Sequence, residues 1–328
     1  MHALIVGAAG MIGRKLVARL IADGQIGGRP IACLTLFDIA APEAPAGAPF
    51  DIRRLGGDLS IPGQAERLVA TRPDVIFHLA AIVSGEAESD FELGYRVNLD
   101  GTRALLEGVR RSGDGYRPRF VFTSSIAVFG APFPETGIDD AFHLTPLTSY
   151  GTQKAIGELL LADYSRRGFL DGIGIRLPTI CVRPGRPNKA ASGFFSGIIR
   201  EPLNGQEAIL PVPESVRHWH ASPRAATAFL VHAASMDTGP LGVRRSLTMP
   251  GLAATVGEQI EALRRMAGDA AVGRIRREPN PAIIRMVEGW PERFSAERAE
   301  ALGFRAERSF DEIVRVYVDD ELGGRIAA

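Results

Sequence analysis

A chain of 328 residues is long enough for one large or two ordinary domains, and 45% apolar with 23% charged residues is a globular composition. Its 38 basic and 38 acidic residues balance, which excludes a global field that would recruit nucleic acid or an anionic membrane. No stretch is apolar for long enough to span a bilayer. We therefore predict a globular protein with no nucleic-acid or membrane partner.

The cysteines and the amino-terminal segment indicate the compartment. Cys33 and Cys181 both lie in apolar runs, so two buried free thiols are expected rather than a disulfide scaffold. The segment MHALIVGAAGMIG has no basic leader and is interrupted by glycines, so we interpret it as a strand and a turn. Both features predict a cytoplasmic protein.

Short apolar runs rich in β-branched residues alternate with amphipathic segments through the first half of the chain. Continuous apolar runs are typical of strands buried on both faces, so these runs predict parallel strands. They lie at 3–6, 34–38, 75–80, 120–125 and 173–178. The segments between them carry apolar residues at helical spacing. The pattern predicts the α/β class, with a doubly wound parallel sheet of the Rossmann type.

The pattern changes after the fifth predicted strand. The proline-rich stretch 41–51 predicts only a surface loop, but proline and glycine become frequent after residue 178. We predict a Rossmann domain over 1–178 and a smaller, loop-rich, mainly substrate-binding part over 179–328. A segment near 205–240 is a candidate to return to the sheet.

Three glycines, Gly7, Gly10 and Gly13, follow the first strand directly and open a helix. Glycine permits a tight turn and lets backbone N–H groups, here with those of Met11 and Ile12, approach a pyrophosphate. The helix N-terminus adds partial positive charge there. A simple tight turn is the alternative, but the position between strand and helix favours a dinucleotide site.

The second strand supplies an independent indication. It ends in Asp38, whose carboxylate can accept both hydroxyls of an adenosine ribose. Ile39 and Ala40 follow, without an adjacent arginine for a 2′-phosphate, and this favours NAD over NADP. A strand-end turn residue is the alternative for Asp38. Asp58 and Leu59, after another apolar stretch, are expected to flank the adenine.

Tyr150 and Lys154 lie one helical turn apart, shortly after Ser124 and Ser125. Unperturbed tyrosine and lysine have pKa values of about 10 and 10.4, so neither is a useful base alone at neutral pH. Side by side, the ammonium favours the phenolate. Moving the tyrosine pKa toward 7 requires about 4 kcal/mol, within reach of a close cation and a charged cofactor. The alternative is an ordinary solvated i,i+4 pair.

Taken in order, these motifs together with HLAA at 78–81 resemble the extended short-chain dehydrogenase/reductase family over roughly the first 180 residues. The resemblance implies an enzyme that handles sugars or hydroxy acids with bound NAD(P). It implies that Tyr150 is the base and that Lys154 lowers its pKa and binds the nicotinamide ribose. Asn98 resembles the family asparagine that supports the lysine through water, with a helix cap as the alternative.

The family's catalytic serine lies five residues before the glycine of a V-[YF]-G element, here Gly130. The resemblance therefore assigns Ser125 to the reacting hydroxyl, with Ser124 as the fallback. Family position also places Pro178 and Thr179 beside the nicotinamide. The positions expected to bind NAD are Gly7, Gly10, Met11, Ile12, Gly13, Asp38, Asp58, Leu59, Leu79, Ala80, Ala81, Asn98, Tyr150, Lys154, Pro178 and Thr179.

Cationic groups after the fifth strand bear on the substrate: Arg176, Arg183, Arg186 and Lys189. They suit either the diphosphate of a nucleotide sugar or the carboxylate of a free sugar acid. RLPTICVRPGRPN and the later VRHWHASPRAA resemble a branch of the family that oxidises the C2 hydroxyl of a four-carbon sugar acid. We expect Arg183 to bind the carboxylate, with a structural salt bridge as the alternative. Ser84 is expected to contact substrate hydroxyls.

Arg217, His218 and His220 form a cluster with three interpretations: substrate contacts, a core histidine with satisfied hydrogen bonds, or metal ligands. His-x-His without nearby cysteines or acids is a poor metal signal, so no metal is predicted.

The leading hypothesis is an NAD-dependent dehydrogenase of a small sugar acid. No acidic residue directly follows Ser125, which argues against a dehydratase. A nucleotide-sugar epimerase with tightly bound NAD is the alternative, because epimerases use the same serine, tyrosine and lysine. A non-catalytic NAD-sensing protein is the third hypothesis. A homodimer is expected from the family.

Overall fold

The structure, a computed structural model, describes residues 1–43, 45–185 and 192–326. The chain divides into two compact units. Unit 1 comprises 1–128, 146–177 and 227–247, and unit 2 comprises 129–145, 178–226 and 248–328. The sequence places one boundary near residue 178. The units change there as well, but 129–145 belongs to unit 2 and 227–247 to unit 1.

The secondary structure alternates strand and helix through the first half of the chain. In chain order, its elements are β1 (His2–Val6), α1 (Met11–Asp23), β2 (Gln25–Ile26), β3 (Arg29–Pro30), β4 (Cys33–Asp38), β5 (Asp51–Gly56), α2 (Gln64–Val69), β6 (Val75–His78), α3 (Ser84–Ser89), α4 (Phe91–Gly94), a π-helix (Tyr95–Asp100), α5 (Gly101–Arg111), β7 (Arg119–Ser125), a 3-10 turn (Ile126–Val128), α6 (Ser149–Arg166) and β8 (Asp171–Leu177).

The second half is less regular. Its elements are β9 (Thr179–Ile180), α7 (Gly193–Leu203), β10 (Ala208–Leu210), β11 (Arg217–Ala221), α8 (Pro223–Ser235), a 3-10 turn (Gly239–Leu241), β12 (Ser246–Thr248), β13 (Leu252–Thr255), α9 (Val256–Val272), β14 (Ile275–Arg277), α10 (Pro281–Val287), α11 (Glu297–Ala301) and α12 (Phe310–Leu322).

The central sheet has the strand order β5-β4-β1-β6-β7-β8-β12. The pairs from β5 to β8 are all parallel, so the doubly wound, Rossmann-type α/β fold predicted from the sequence is confirmed. The strand order reverses between β1 and β6. Ligands of open α/β sheets bind at the carboxyl ends of the strands beside such a reversal, which here means the segments after β1, β4, β6 and β7.

Two strands of this sheet, β5 and β12, were not predicted from the sequence. β5 lies at the edge, and five of its six residues are exposed, so no apolar run marks it. The predicted loop 41–51 therefore runs one residue into β5. β12 has only three residues and joins the opposite edge after α8.

Each unit has its own apolar core. In unit 1, alternate residues of β1 and β7 point to one face, where Leu4, Val6, Phe120 and Phe122 pack with side chains of α2, α5 and α6. Burying each such side chain stabilises the fold by about 2 kcal/mol. In unit 2, the core is formed largely by α7, α9 and α12. Within the described ranges, no helix is both long and apolar enough to cross a membrane.

Candidate active site

The glycine loop after β1 is packed so closely that two of its positions require glycine. Gly7 has a φ of +94°, and a Cβ there would lie 2.5 Å from the Ala80 nitrogen. A Cβ on Gly13 would lie 2.2 Å from the Gly7 carbonyl oxygen. The Gly7 and Ala8 N–H groups both donate to the Phe37 carbonyl, at 2.9 and 3.1 Å. These contacts fix the turn from β1 into α1.

Gly10 behaves differently, and its surroundings fit a phosphate group. It precedes α1 as the capping residue, it is exposed, and no side chain caps the helix. A Cβ there would meet no protein atom closer than the Gly7 carbonyl oxygen at 3.4 Å. The first turn, which contains Met11 and Ile12, has no acidic residue. Because the first N–H groups of a helix have no partner within the helix, this uncapped turn fits an anion site at a helix N-terminus.

Asp38 is fixed against the same loop. Its Oδ2 accepts a hydrogen bond from the Ala9 N–H at 2.8 Å, and its Oδ1 accepts one from the Ile39 N–H at 2.8 Å. Each carboxylate oxygen keeps acceptor capacity beyond one hydrogen bond. The carboxylate thus lies at the carboxyl end of β4, beside the glycine loop, where a ribose can be bound.

Asp58 and Leu59 have roles within the protein itself. Asp58 Oδ1 accepts hydrogen bonds from the Ser60 hydroxyl at 2.6 Å and the Ser60 N–H at 2.9 Å. The Ser60 hydrogen bonds lower the pKa of Asp58 against the opposing effect of partial burial. Leu59 is buried in the unit 1 core and packs near Gly101. Their contact with the adenine stays a prediction.

The segment after β6 follows the glycine loop closely. The Leu79 and Ala80 N–H groups both donate to the Val6 carbonyl, at 2.8 and 2.9 Å. Ala81 follows in the same half-buried segment, and Ser84 begins α3, also half-buried. These predicted positions therefore lie at the carboxyl end of β6, beside the reversal of strand order.

The two serines at the end of β7 differ in environment. Ser124 is 3% exposed, and its hydroxyl donates to Glu158 Oε1 at 2.5 Å. Ser125 is half-exposed, and its Oγ accepts a hydrogen bond from the Ala127 N–H at 3.1 Å. Ser124 is thus engaged inside the protein. Ser125 is the serine whose hydroxyl a substrate can reach.

Helix α6 begins directly beside this turn. The Thr148 hydroxyl accepts a hydrogen bond from the Gly151 N–H at 3.0 Å and caps the helix. A Cβ on Gly151 would lie 2.1 Å from the Ala127 carbonyl oxygen, so glycine allows the helix start to approach the end of β7. The first turn, with half-buried Tyr150, is therefore held near the segment that follows Ser125.

Lys154 is a buried cation. It is 2% exposed, and its Nζ donates to the Thr123 carbonyl at 2.8 Å. The same Nζ lies 5.8 Å from the ring centroid of Tyr150 and 5.0 Å from that of Phe122. Burial lowers the pKa of Lys154 to about 8, although the Glu158 carboxylate opposes this shift. Below that pH, Lys154 carries its charge close to the predicted base.

Asn98 lies in the π-helix and has its side chain fully engaged. Its Oδ1 accepts a hydrogen bond from the Ile82 N–H at 2.7 Å, while its Nδ2 donates to the Ile82 carbonyl at 3.1 Å and to Gln153 Oε1 at 2.7 Å. It ties the segment after β6 to the residue that precedes Lys154, and it caps no helix. Its support of the lysine through water stays a prediction.

Glu158 is a buried polar residue of this region that was not predicted from the sequence. It is 4% exposed and one helical turn after Lys154. Arg176, which is 6% exposed, donates to it from Nε at 2.9 Å and from Nη2 at 2.8 Å. Arg176 is thus part of a buried ion pair in unit 1. The i+4 spacing from Lys154 was the available signal.

In unit 2, the histidine cluster belongs to the core. His218 Nε2 lies 2.8 Å from Thr179 Oγ1, and its Nδ1 lies 3.0 Å from the Pro291 carbonyl oxygen. The ring stacks on Phe195 at 5.4 Å, and burial lowers the pKa of His218 to about 4. His220 is also buried, and its pKa is lowered by burial. Of the three interpretations, His218 fits a core histidine that holds Thr179. Pro178, which directly precedes Thr179, is also buried.

The predicted cations of unit 2 are held in different ways. The half-buried Arg183 donates to the Ile180 carbonyl and to Ser192 Oγ, both at 2.9 Å. Arg217 lies 3.4 Å from Glu258 and donates to a backbone carbonyl, so it is part of a surface ion pair. Arg186 and Lys189 lie outside the described residues. In the part of the chain that is described, no three His, Cys, Asp or Glu side chains are grouped to hold a metal.

Comparison with known proteins adds independent findings. The model of the NAD dependent epimerase/dehydratase family matches residues 3–242. D-erythronate dehydrogenase of Cupriavidus necator is 50% identical over 324 residues, 98% of each chain. D-erythronate dehydrogenase of Haemophilus influenzae is 41% identical over 322 residues, 98% of this chain and 100% of the relative.

Solved structures share the fold. One described as the nucleoside-diphosphate-sugar epimerase from Agrobacterium tumefaciens has a TM-score of 0.97 and 66% identity, and covers 100% of this chain and 96% of its own. The UDP-glucose 4-epimerase of Thermus thermophilus, solved in complex with NAD, has a TM-score of 0.78 and 24% identity, and covers 99% and 100%.

Proposed function

Since this chain belongs to the NAD dependent epimerase/dehydratase family and is an NAD-dependent dehydrogenase, we propose that it oxidises the C2 hydroxyl of D-erythronate to the 2-oxo acid. The observation that carries the proposal is the near full-length identity of 50% and 41% to two D-erythronate dehydrogenases. The arrangement of Ser125, Tyr150 and Lys154 in unit 1 supplies the chemistry that this oxidation requires.

The glycine loop and Asp38 are the groups that would hold NAD. The uncapped first turn of α1, after Gly10, offers N–H donors for the pyrophosphate. The Asp38 carboxylate would accept the adenosine ribose hydroxyls. Ile39 and Ala40 offer no cation for a 2′-phosphate. When bound, NAD supplies the acceptor for the hydride that leaves C2.

The proton of the C2 hydroxyl would pass to Tyr150 as the C–H electron pair leaves as hydride, so that the alcohol becomes a ketone. A phenol becomes a base at neutral pH only if its phenolate is stabilised. The Lys154 ammonium, anchored on the Thr123 carbonyl at 2.8 Å, supplies that stabilisation in a buried site with little screening by water.

Ser125 would donate its hydroxyl hydrogen to the reacting oxygen and hold it toward the base. Arg183 remains the proposed partner of the substrate carboxylate. Its guanidinium is held by the Ile180 carbonyl and the Ser192 hydroxyl, which gives it one defined orientation.

The test follows the absorbance of NADH with D-erythronate as substrate. We expect stoichiometric NADH from the wild type and none from Tyr150→Phe, which removes the base but keeps the ring. A wider set of four- to six-carbon aldonates, uronates and 3-hydroxy acids, each with NAD and NADP, defines specificity. Absence of NAD reduction with every four-carbon aldonate would refute the proposed substrate.

A nucleotide-sugar epimerase is the second candidate, favoured by the description of the A. tumefaciens structure. An epimerase returns the hydride to its substrate, so it retains its cofactor and releases no net NADH. Incubation with UDP-sugars and analysis of the sugar products distinguish the two functions. We also propose a homodimer, and a sedimentation mass equal to one chain would contradict it.

A further inference from the structure

Glu158 is a buried carboxylate of unit 1 on α6, the helix that carries Lys154, and it contacts β7, the strand that carries Ser124 and Ser125. Glu158 accepts hydrogen bonds from Ser124 on β7 at 2.5 Å and from Arg176 on β8 at 2.9 Å. Lys154 precedes it by one turn of α6, on the same buried side of the helix. Residues at this spacing have Cβ atoms about 6 Å apart.

We propose that Glu158 is a positioning residue of the dehydrogenase: it keeps Lys154 in the ammonium form on the Thr123 carbonyl and fixes the strand end that carries Ser125. It acts through these side chains and needs no contact with substrate or cofactor. The inference rests on the proposed roles of Lys154 and Ser125, but its central measurement is independent of them.

The charges explain why such a residue is needed. Lys154 and Arg176 are both nearly fully buried, and a buried ammonium without an opposite charge tends to lose its proton. Lys154 donates a hydrogen bond to the neutral Thr123 carbonyl, which orients Nζ but supplies no net charge. The Glu158 carboxylate is the group that opposes the effect of burial on the pKa of Lys154.

Arg176 and Ser124 hold the carboxylate in place. The guanidinium binds both carboxylate oxygens, with Nη2 to Oε2 at 2.8 Å and Nε to Oε1 at 2.9 Å. The Ser124 hydroxyl donates to the same Oε1. Ser124 directly precedes Ser125, and Lys154 lies one turn before Glu158. A displacement of Glu158 is therefore transmitted to both Ser125 and Lys154.

A purely structural ion pair makes a different prediction. Removing both partners of a buried pair often leaves stability unchanged or improved, whereas removing one leaves an uncompensated charge. If the pair only supports the fold, the titration midpoint of Lys154 in the double variant Glu158→Gln/Arg176→Met should equal that of the wild type. If Glu158 positions the ammonium, the titration of Lys154 changes even when stability is recovered.

The chain suits a direct measurement because it contains three lysines, Lys15, Lys154 and Lys189. Lysine labelled with ¹³C at the ε position gives three resonances, assigned with Lys15→Arg and Lys189→Arg. Titration of the NAD-free protein then reports the midpoint of Lys154. We expect Glu158→Gln and the double variant to lower it by about one unit or more.

The matched control is Glu107→Gln, which removes a carboxylate paired with Arg110 on α5. We expect it to leave the Lys154 midpoint unchanged. A wild-type midpoint in the folded double variant overturns the proposal. If Glu158→Gln alone does not fold because the buried ion pair is broken, the double variant still decides.

Kinetics give the second measurement. In the Glu158 variants, we expect kcat with D-erythronate to fall and the alkaline limb of its pH profile to move to lower pH, with little change in KM for NAD. If the wild type does not oxidise D-erythronate, the proposed function fails but the NMR titration remains decisive. A shifted kcat profile with an unshifted Lys154 resonance would refute the positioning role.

Discussion

The burial of Lys154 should make the stability of the protein depend on pH in a way that one substitution isolates. The folded-state pKa is about 8, below the ordinary value of 10.5 that applies to the unfolded chain. Between these values the unfolded state binds more protons, so stability rises as pH rises. At pH 7 both states carry the charge, and the folded state bears the full desolvation penalty.

The size of the effect follows from the difference between the two pKa values. The separation, from about 8 to 10.5, corresponds to about 3 kcal/mol. Lys154→Met removes the titrating group and keeps the length of the side chain. Loss of the hydrogen bond to the Thr123 carbonyl adds a term that does not depend on pH. The change with pH in the stability difference between the two proteins therefore does not contain this contribution.

The assay is urea unfolding of NAD-free wild type and Lys154→Met at pH 7, 8, 9 and 10.5. We expect the free energy of unfolding of the wild type, relative to the variant, to increase by about 3 kcal/mol across this range. Other groups titrate in both proteins and cancel. A difference that stays flat with pH would show that Lys154 is not a desolvated ammonium at pH 7, and would refute the reasoning.

Three further predictions use matched pairs or single variants. Gly10→Ala should leave the thermal unfolding midpoint unchanged and weaken NAD binding, measured by calorimetry. Gly13→Ala should lower the free energy of unfolding by about 2 kcal/mol, because its Cβ would lie 2.2 Å from a carbonyl oxygen. Equal unfolding midpoints for the two variants would contradict this prediction. Ser125→Ala should lower kcat about 100-fold with normal stability, while Ser124→Ala should lower stability by about 1 kcal/mol; the reverse pattern would assign catalysis to Ser124. Asp38→Ala should raise KM for NAD about tenfold or more and reduce the ratio of kcat/KM for NAD to kcat/KM for NADP. If this ratio does not change, the carboxylate is not the ligand of the ribose.

The sequence predicted the strands whose burial leaves a pattern. Strands β1, β4, β6, β7 and β8 are buried along most of their length, so each contains a short apolar run. β5 and β12 were missed because an exposed edge strand and a three-residue strand carry no such run. Strand pairing holds them in place, and pairing is made by backbone groups that the side-chain pattern does not report.

The candidate site was predictable where chemistry requires a fixed spacing. The glycine loop, Asp38 and the Tyr150–Lys154 pair follow from such spacings. Glu158 has only its i+4 spacing from Lys154 as a signal, and this spacing does not predict burial, because a charged residue in a helix usually faces water. Helix α6 is buried on more than one side, with Gln153, Lys154 and Glu158 all inside, so its pattern is scarcely amphipathic. Only the structure reveals these partners.

The same burial both activates and limits the site. In water, an ammonium near a phenol would be screened and would lower its pKa little. At 2% exposure, Lys154 acts through a medium of low dielectric constant, but this medium also lowers its own pKa to about 8. In the proposed mechanism, the ammonium of Lys154 stabilises the phenolate of Tyr150 only while Lys154 carries its charge, so each group that stabilises the ammonium extends the working pH range on the alkaline side. A carboxylate one turn away does this without contact with the substrate, so it can extend the working pH range and leave specificity to other residues.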